Sequence, residues 1–186
     1  RQLHQLTAET METLYATNLA KHYADLAFHY EKAEFTDKAI EYLEKAGDDA
    51  KAQYQNQQAL GLYDRLLIQL QKVLVFPEKE IDTLLKKGKI LDLTGQWKAC
   101  QDVCEEAFRL SEQIDDTRRM GQAKLLAGII FRRTGQYDMA LAYFEQARTL
   151  FEAINDKEGL GQILTGMGVV YQEIGDYEAA RMYYET

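Results

Sequence analysis

The chain has 186 residues, a net charge of −8 and 46% hydrophobic residues, with one proline, Pro77. That apolar content excludes a chain disordered by composition, and the acidic balance argues against nucleic acid or an anionic membrane as partner, because both require a basic surface. No run of about 18 apolar residues and no signal-peptide pattern occurs, so neither a membrane span nor a secretory leader is expected.

The chain opens on Arg1 rather than Met and stops inside an apolar-periodic stretch, which reads as a piece of something longer. Residues 7–32 read as helical, with Thr7 placed as an N-cap. Leu26-Ala27-x-x-Tyr30, followed by Lys38-Ala39-Ile40-x-x-Leu43-x-x-Ala46, reads as a helical pair. Gly47 to Ala52 reads as a short separate helix, and Asn56-x-x-Ala59-x-x-x-Tyr63 opens a long one. Ala39 and Ala59 stand only 20 residues apart, which suggests a compressed unit. Pro77 marks the junction at which a regular array begins.

From there the sequence repeats. Gly88, Gly128 and Gly168 fall 40 residues apart, and so do Gly95, Gly135 and Gly175. The same spacing links Trp97, Tyr137 and Tyr177, then Leu91, Phe131 and Tyr171, then Cys100, Ala140 and Ala180, then Cys104, Phe144 and Tyr184. Ala107 and Ala147 keep it too. Within a unit, Leu125, Ile129 and Ile130 follow a helical period, and Gly135 supplies the left-handed end of that helix. Residues 137–151 form a second amphipathic helix through Tyr137, Ala140, Leu141, Phe144, Ala147, Leu150 and Phe151. Gly128 and Ala140 are small where the two helices meet, with Phe131 and Phe144 filling the space beside them. Trp97, in one column with Tyr137 and Tyr177, is expected to be at least partly buried between units. Asp115–Asp116 and Asn155–Asp156 sit where N-cap oxygens for the next helix are needed.

The pattern Gly-x-x-Phe-x-x-x-Gly-x-Tyr-x-x-Ala-x-x-x-Phe-x-x-Ala from Gly128 to Ala147 resembles the tetratricopeptide repeat, in a lengthened form similar to kinesin-light-chain-like and Pins-like arrays. The resemblance implies an all-α fold, a right-handed α-α superhelix of about five helical pairs. The domain reading is a single solenoid over 1–186, irregular over 1–76 and regular over 77–120, 121–160 and a truncated 161–186. Residues 7–75, from Glu12-Thr13-Leu14-Tyr15-Ala16 to Leu43-Glu44-Lys45-Ala46-Gly47, further resemble the helical region following the ATPase module of bacterial signal-transduction proteins with nucleotide-cyclase or transcription-regulator domains.

No catalytic constellation emerges. Gly159, Gly161, Gly166 and Gly168 lack the strand and the Gly-Lys-Ser/Thr ending of a phosphate loop, and read as packing glycines. Adjacent acids such as Glu105–Glu106 and Asp115–Asp116 point apart on a helix. Cys100 and Cys104 are the only cysteines, too few for a zinc site or a disulfide framework, and Cys104 reads as buried and inert. His4, His22 and His29 show no metal-like pairing, although His22 and His29 are spaced to share a helix face. The expectation is no cofactor, no metal and no enzyme activity in this stretch, with a reducing, cytoplasmic setting suggested by the cysteine usage.

The resemblance implies a groove lined by the first helices of successive repeats. Its positions here are Leu85, Lys89 and Asp92, then Gln122, Leu125, Ile129 and Arg132, then Gln162, Thr165, Val169 and Gln172. Leu125 and Ile129 stand where members that clamp a chaperone's C-terminal carboxylate would carry polar groups, which argues against that role. The function implied is a scaffold or sensor arm of a larger bacterial signalling protein, holding a protein or peptide, other domains of its own chain included. The alternative is a solenoid that senses a small-molecule or peptide inducer for a regulatory ATPase or transcription regulator. Tyr177, Ala180 and Tyr184, with no capping helix after them in sequence, suggest self-association over about 160–186.

Overall fold

The computed structural model describes residues 1–73 and 77–185. Its helices are α1 (Gln2–Leu14), α2 (Tyr23–Ala33), α3 (Thr36–Ala52), α4 (Asn56–Val73), α5 (Pro77–Leu93), α6 (Trp97–Gln113), α7 (Thr117–Arg133), α8 (Tyr137–Ala153), α9 (Lys157–Ile174) and α10 (Tyr177–Glu185), with a 3-10 turn at Leu19–His22. No strand occurs among the described residues. None of their helices is long and apolar enough to cross a membrane. Two compact units, Arg1–Thr83 and Leu84–Thr186, divide the chain within α5.

In the second unit, local chemistry sets each helix end. Gly95, Gly135 and Gly175 have φ of 72°, 74° and 94°. After Arg133 the Gly135 amide donates to the Arg132 carbonyl and the Gln136 amide to that of Phe131, both at 2.9 Å, a glycine-terminated Schellman end. The next helices start as the acids require. Asp116 Oδ1 accepts from the Arg119 amide at 2.9 Å, Asp156 Oδ1 from Gly159 at 3.1 Å and Asp176 Oδ1 from Ala179 at 3.0 Å. The residues before the first two acids, Asp115 and Asn155, take left-handed backbone at φ 54°.

The core of this unit is built on rings held against glycines. A Cβ on Gly128 of α7 would stand 2.6 Å from the Phe144 ring, and one on Gly166 of α9 would stand 2.9 Å from the same ring. Phe151 is held in the same way between Gly121 and Gly159, at 2.7 and 2.6 Å. Each of these two phenylalanine rings of α8 therefore lies between two bare backbone patches, one on its own partner helix and one on the next. Ala140, Ala147, Ile163, Met167 and Val170 close the cluster. Gly88 faces Leu126 instead, since its own repeat carries Cys104 where the others have an aromatic ring. Trp97 is partly buried, as expected, at 40% exposure; Tyr137 is half-buried and packs against the cluster, while Tyr177 of the last helix is 71% exposed.

The first unit departs from the sequence reading in three places. Residues 7–32 are helical in pieces, α1 ending at Leu14 and a 3-10 turn preceding α2, but Thr7 is no N-cap: it lies inside α1 with its hydroxyl donating to the Leu3 carbonyl. Gly47 to Ala52 is no separate helix but the end of α3, where Gly47 admits the Tyr63 ring at 2.6 Å from its would-be Cβ. Nor is a unit compressed. Gly47, Ala59 and Tyr63 precede Gly88, Cys100 and Cys104 by 41 residues each, so α3 and α4 keep the repeat with one residue added. Glu12 fastens α1, accepting from the Tyr42 hydroxyl and from Lys38 Nζ.

Candidate ligand groove

In the second unit, α5, α7 and α9 present the face that the repeat register selects. Leu85, Lys89 and Asp92 are spaced by four and three along α5, as are Gln122, Leu125, Ile129 and Arg132 along α7 and Gln162, Thr165 and Val169 along α9, so each set shares one side of its helix. These residues line two adjoining depressions of about 350 and 680 Å³ that share Asp92, Leu125, Ile129, Glu158 and Gln162. The floor is apolar: Leu85 and Leu125 are buried, with Ile129 and Val169 half-buried. Around it stand Lys89, Gln122, Arg132, Glu158, Gln162 and Thr165.

Ten of the eleven groove residues expected from sequence are brought together here. Gln172 is the exception, because its side-chain oxygen accepts from the Tyr184 hydroxyl at 3.2 Å and it lines neither depression. Sequence reasoning missed Glu158, Gly161, Leu93, Leu126, Gly166 and Arg133. Glu158 was within reach, since it lies four residues before Gln162 on α9.

The groove's charges are already partly spent. Arg133 Nε lies 2.6 Å from Asp92 Oδ1, joining α7 to α5, and Arg132 lies 2.6 Å from Glu173 of α9. The side chains of Asp92 and Arg132 are 11% and 17% exposed, so these pairs hold neighbouring helices in register as well as edging the groove. Lys89 and Gln122 are exposed, and so is Thr165.

Reactive side chains lie elsewhere. Cys100 and Cys104 are both buried and free. Cys100 Sγ donates to the Gly88 carbonyl at 3.1 Å, and the hydrogen bond with Cys100, with burial, pushes the Cys104 thiol up, so it stays protonated. Two of the histidines touch: His4 Nδ1 and His29 Nδ1 are 3.0 Å apart, joining α1 to α2. The 25 residues between them hid this contact from a spacing argument. His22 instead ends the 3-10 turn and stacks on Tyr15 at 3.9 Å. No group of three or more metal-ligating side chains occurs among the described residues.

The family model of the tetratricopeptide repeat matches residues 80–153 and 119–186, more than half of the chain. The chain belongs to the tetratricopeptide-repeat family. No curated protein matches it in sequence. Among solved structures, BtubC (BKLC) from P. vanneervenii superposes with a TM-score of 0.71 at 13% identity, over 99% of this chain and 86% of that one. Aspartyl phosphate phosphatase F from Bacillus subtilis reaches 0.77 at 15% identity, over 98% of this chain and 47% of that one. A Rap protein complexed with competence and sporulation factor gives 0.71 at 18%, over 89% and 48%. These likenesses bear on fold. The chain spans about half the length of the phosphatase and of the Rap protein, and most of that of BtubC.

Proposed function

We propose that this tetratricopeptide-repeat chain is a binding scaffold that holds an extended peptide or protein segment along α5, α7 and α9. The observation that carries the reading is the apolar floor of Leu85, Leu125, Ile129 and Val169, continuous across three successive first helices and edged by side chains of both signs. A peptide laid there buries apolar side chains on the floor and meets its backbone polar groups at Gln122, Gln162 and Thr165. The groove is long and mixed, which suits a peptide better than a compact polar ligand. Complexes among the structural neighbours, a Rap conjugation gene regulator with the Phr* peptide and a Rap protein with competence and sporulation factor, support the same class of partner. The setting we propose is the sensor or scaffold arm of a larger bacterial signalling protein, on the resemblance of residues 7–75 to the region after an ATPase module.

The test begins with peptides selected by phage display on the intact chain. Thr165→Arg fills the exposed middle of the groove without touching an ion pair, whereas Arg132→Glu would set a second carboxylate beside Glu173. The folded Thr165→Arg chain should bind the selected peptides at least about tenfold more weakly in fluorescence anisotropy. Undiminished binding by that chain would remove the site from this groove.

A further inference from the structure

A second pocket lies between α6, α7 and α8, built from other residues than the groove. Phe108 of α6, Phe131 of α7 and Tyr143 of α8 wall a cavity of about 180 Å³ floored by Cys104, Ala123 and Ala127. Phe131 and Tyr143 pack ring to ring, with centroids 4.9 Å apart. Into this aromatic enclosure α7 sends Lys124, whose Nζ lies 4.0 Å from the Phe108 centroid and 5.0 Å from that of Tyr143. Among the described residues no carboxylate lies within ion-pair distance of Lys124. Glu105 lines the pocket but makes no pair with it, and Glu112 acts on it only at longer range.

We propose that this pocket binds a small organic monocarboxylate bearing one aromatic ring, with its acid group on the Lys124 ammonium and its ring among Phe108, Phe131 and Tyr143. Three observations select that chemistry. The cavity is smaller than the roughly 300–1,000 Å³ of sites for drug-sized ligands, which leaves room for one ring and a short acid arm. Its walls are three aromatic faces, which favour offset or edge contact with a fourth. Its one cation lacks an ion-pair partner and is partly desolvated, and that burial lowers the Lys124 pKa, so a bound carboxylate supplies a partner that favours the charged form. A phosphate or dicarboxylate fits less well, because Lys124 balances only one of its charges and the second is left facing Glu105. The rings alone hold the lysine by cation–π attraction, but they leave the cavity beside it open.

Phenylacetate, phenylacetamide and acetate are the probes, titrated into the intact chain by calorimetry and ligand-observed NMR. Phenylacetate should saturate one site with a dissociation constant below about 1 mM, the range open to a ligand of roughly ten heavy atoms. Phenylacetamide and acetate should each bind at least about tenfold more weakly. Lys124→Gln should remove the preference for the acid over the amide, Lys124→Arg should retain it, and the groove variant Lys89→Gln should leave it untouched. Circular dichroism checks that each variant is folded. Equal binding of acid and amide by the wild-type chain would overturn the proposal. So would full phenylacetate affinity in folded Lys124→Gln, or no saturable binding of phenylacetate at all.

Discussion

At the scale of single residues, stability here turns on where a Cβ can go and where a carboxylate is held. Ala140 is wholly buried and Gly128 lies against the Phe144 ring, so Ala140→Leu and Gly128→Ala both overpack a closed contact. Each should cost about 1–3 kcal/mol and lower the melting temperature, measured by circular dichroism. An unchanged melt for both would mean that α7 and α8 do not pair as described. Asp116 caps α7, and its removal should cost about 1 kcal/mol in Asp116→Ala. Burial works to raise its pKa, yet the Arg119 amide and guanidinium prevail and hold it below the ordinary 3.8. Because the folded pKa is the lower one, the carboxylate's contribution is complete above about pH 3.8 and fades as pH falls through the depressed value. The gap in stability between wild type and Asp116→Ala should therefore narrow in urea titrations run below pH 4, and a gap that widens there would reverse the assignment.

At the scale of helices, the sequence made most of the second unit legible and little of the first. The 40-residue columns locate both helices of each repeat and the glycine between them, because a glycine at φ above 70° and an acid at an N-cap leave local marks. In the first unit the same hairpin persists, but the one-residue shift and the unbroken run of α3 through Gly47 hid it. That ten of the named residues line the same depressions was legible because position along a helix fixes the face, whereas the pocket around Lys124 and the His4–His29 contact depend on which helices meet. Two glycines separate the local requirement from the packing one. Gly135 has φ 74° with nothing near its missing side chain, so Gly135→Ala should destabilise through backbone strain alone, by about 1 kcal/mol. Gly61 lies inside α4 with equally open space, so Gly61→Ala should stabilise by about 0.5–1 kcal/mol. Chemical denaturation of the two variants should move in opposite directions, and a shift of the same sign would contradict one of these backbone assignments.

At the scale of the whole molecule, a repeat array has no single centre, and each helix is as stable as the neighbours that cover it. In the second unit α8 is covered on two sides, since Phe144 and Phe151 lie between glycines of α7 and glycines of α9. Opening α8 breaks both interfaces. By contrast α10 buries only Ala180, while Tyr177, Met182 and Tyr184 remain 71%, 70% and 49% exposed. Its attachments include the Tyr184 ring against Gly168, the stacking of Tyr183 on Tyr171 at 5.3 Å, and the hydrogen bond from Tyr184 to Gln172. Local opening should therefore be graded along the array, easiest in α10 and hardest in α8. Hydrogen exchange followed by mass spectrometry should show α10 amides exchanging at least about tenfold faster than those of α8, equivalent to about 1.4 kcal/mol less protection. The gradient should respond to the clamp itself: Phe144→Leu should speed exchange in α7, α8 and α9 together, because one ring serves all three helices, while Tyr184→Leu should speed α10 and the adjoining part of α9 alone. Uniform protection from α7 to α10, or an effect of Phe144→Leu confined to α8, would mean that the rings do not couple successive repeats.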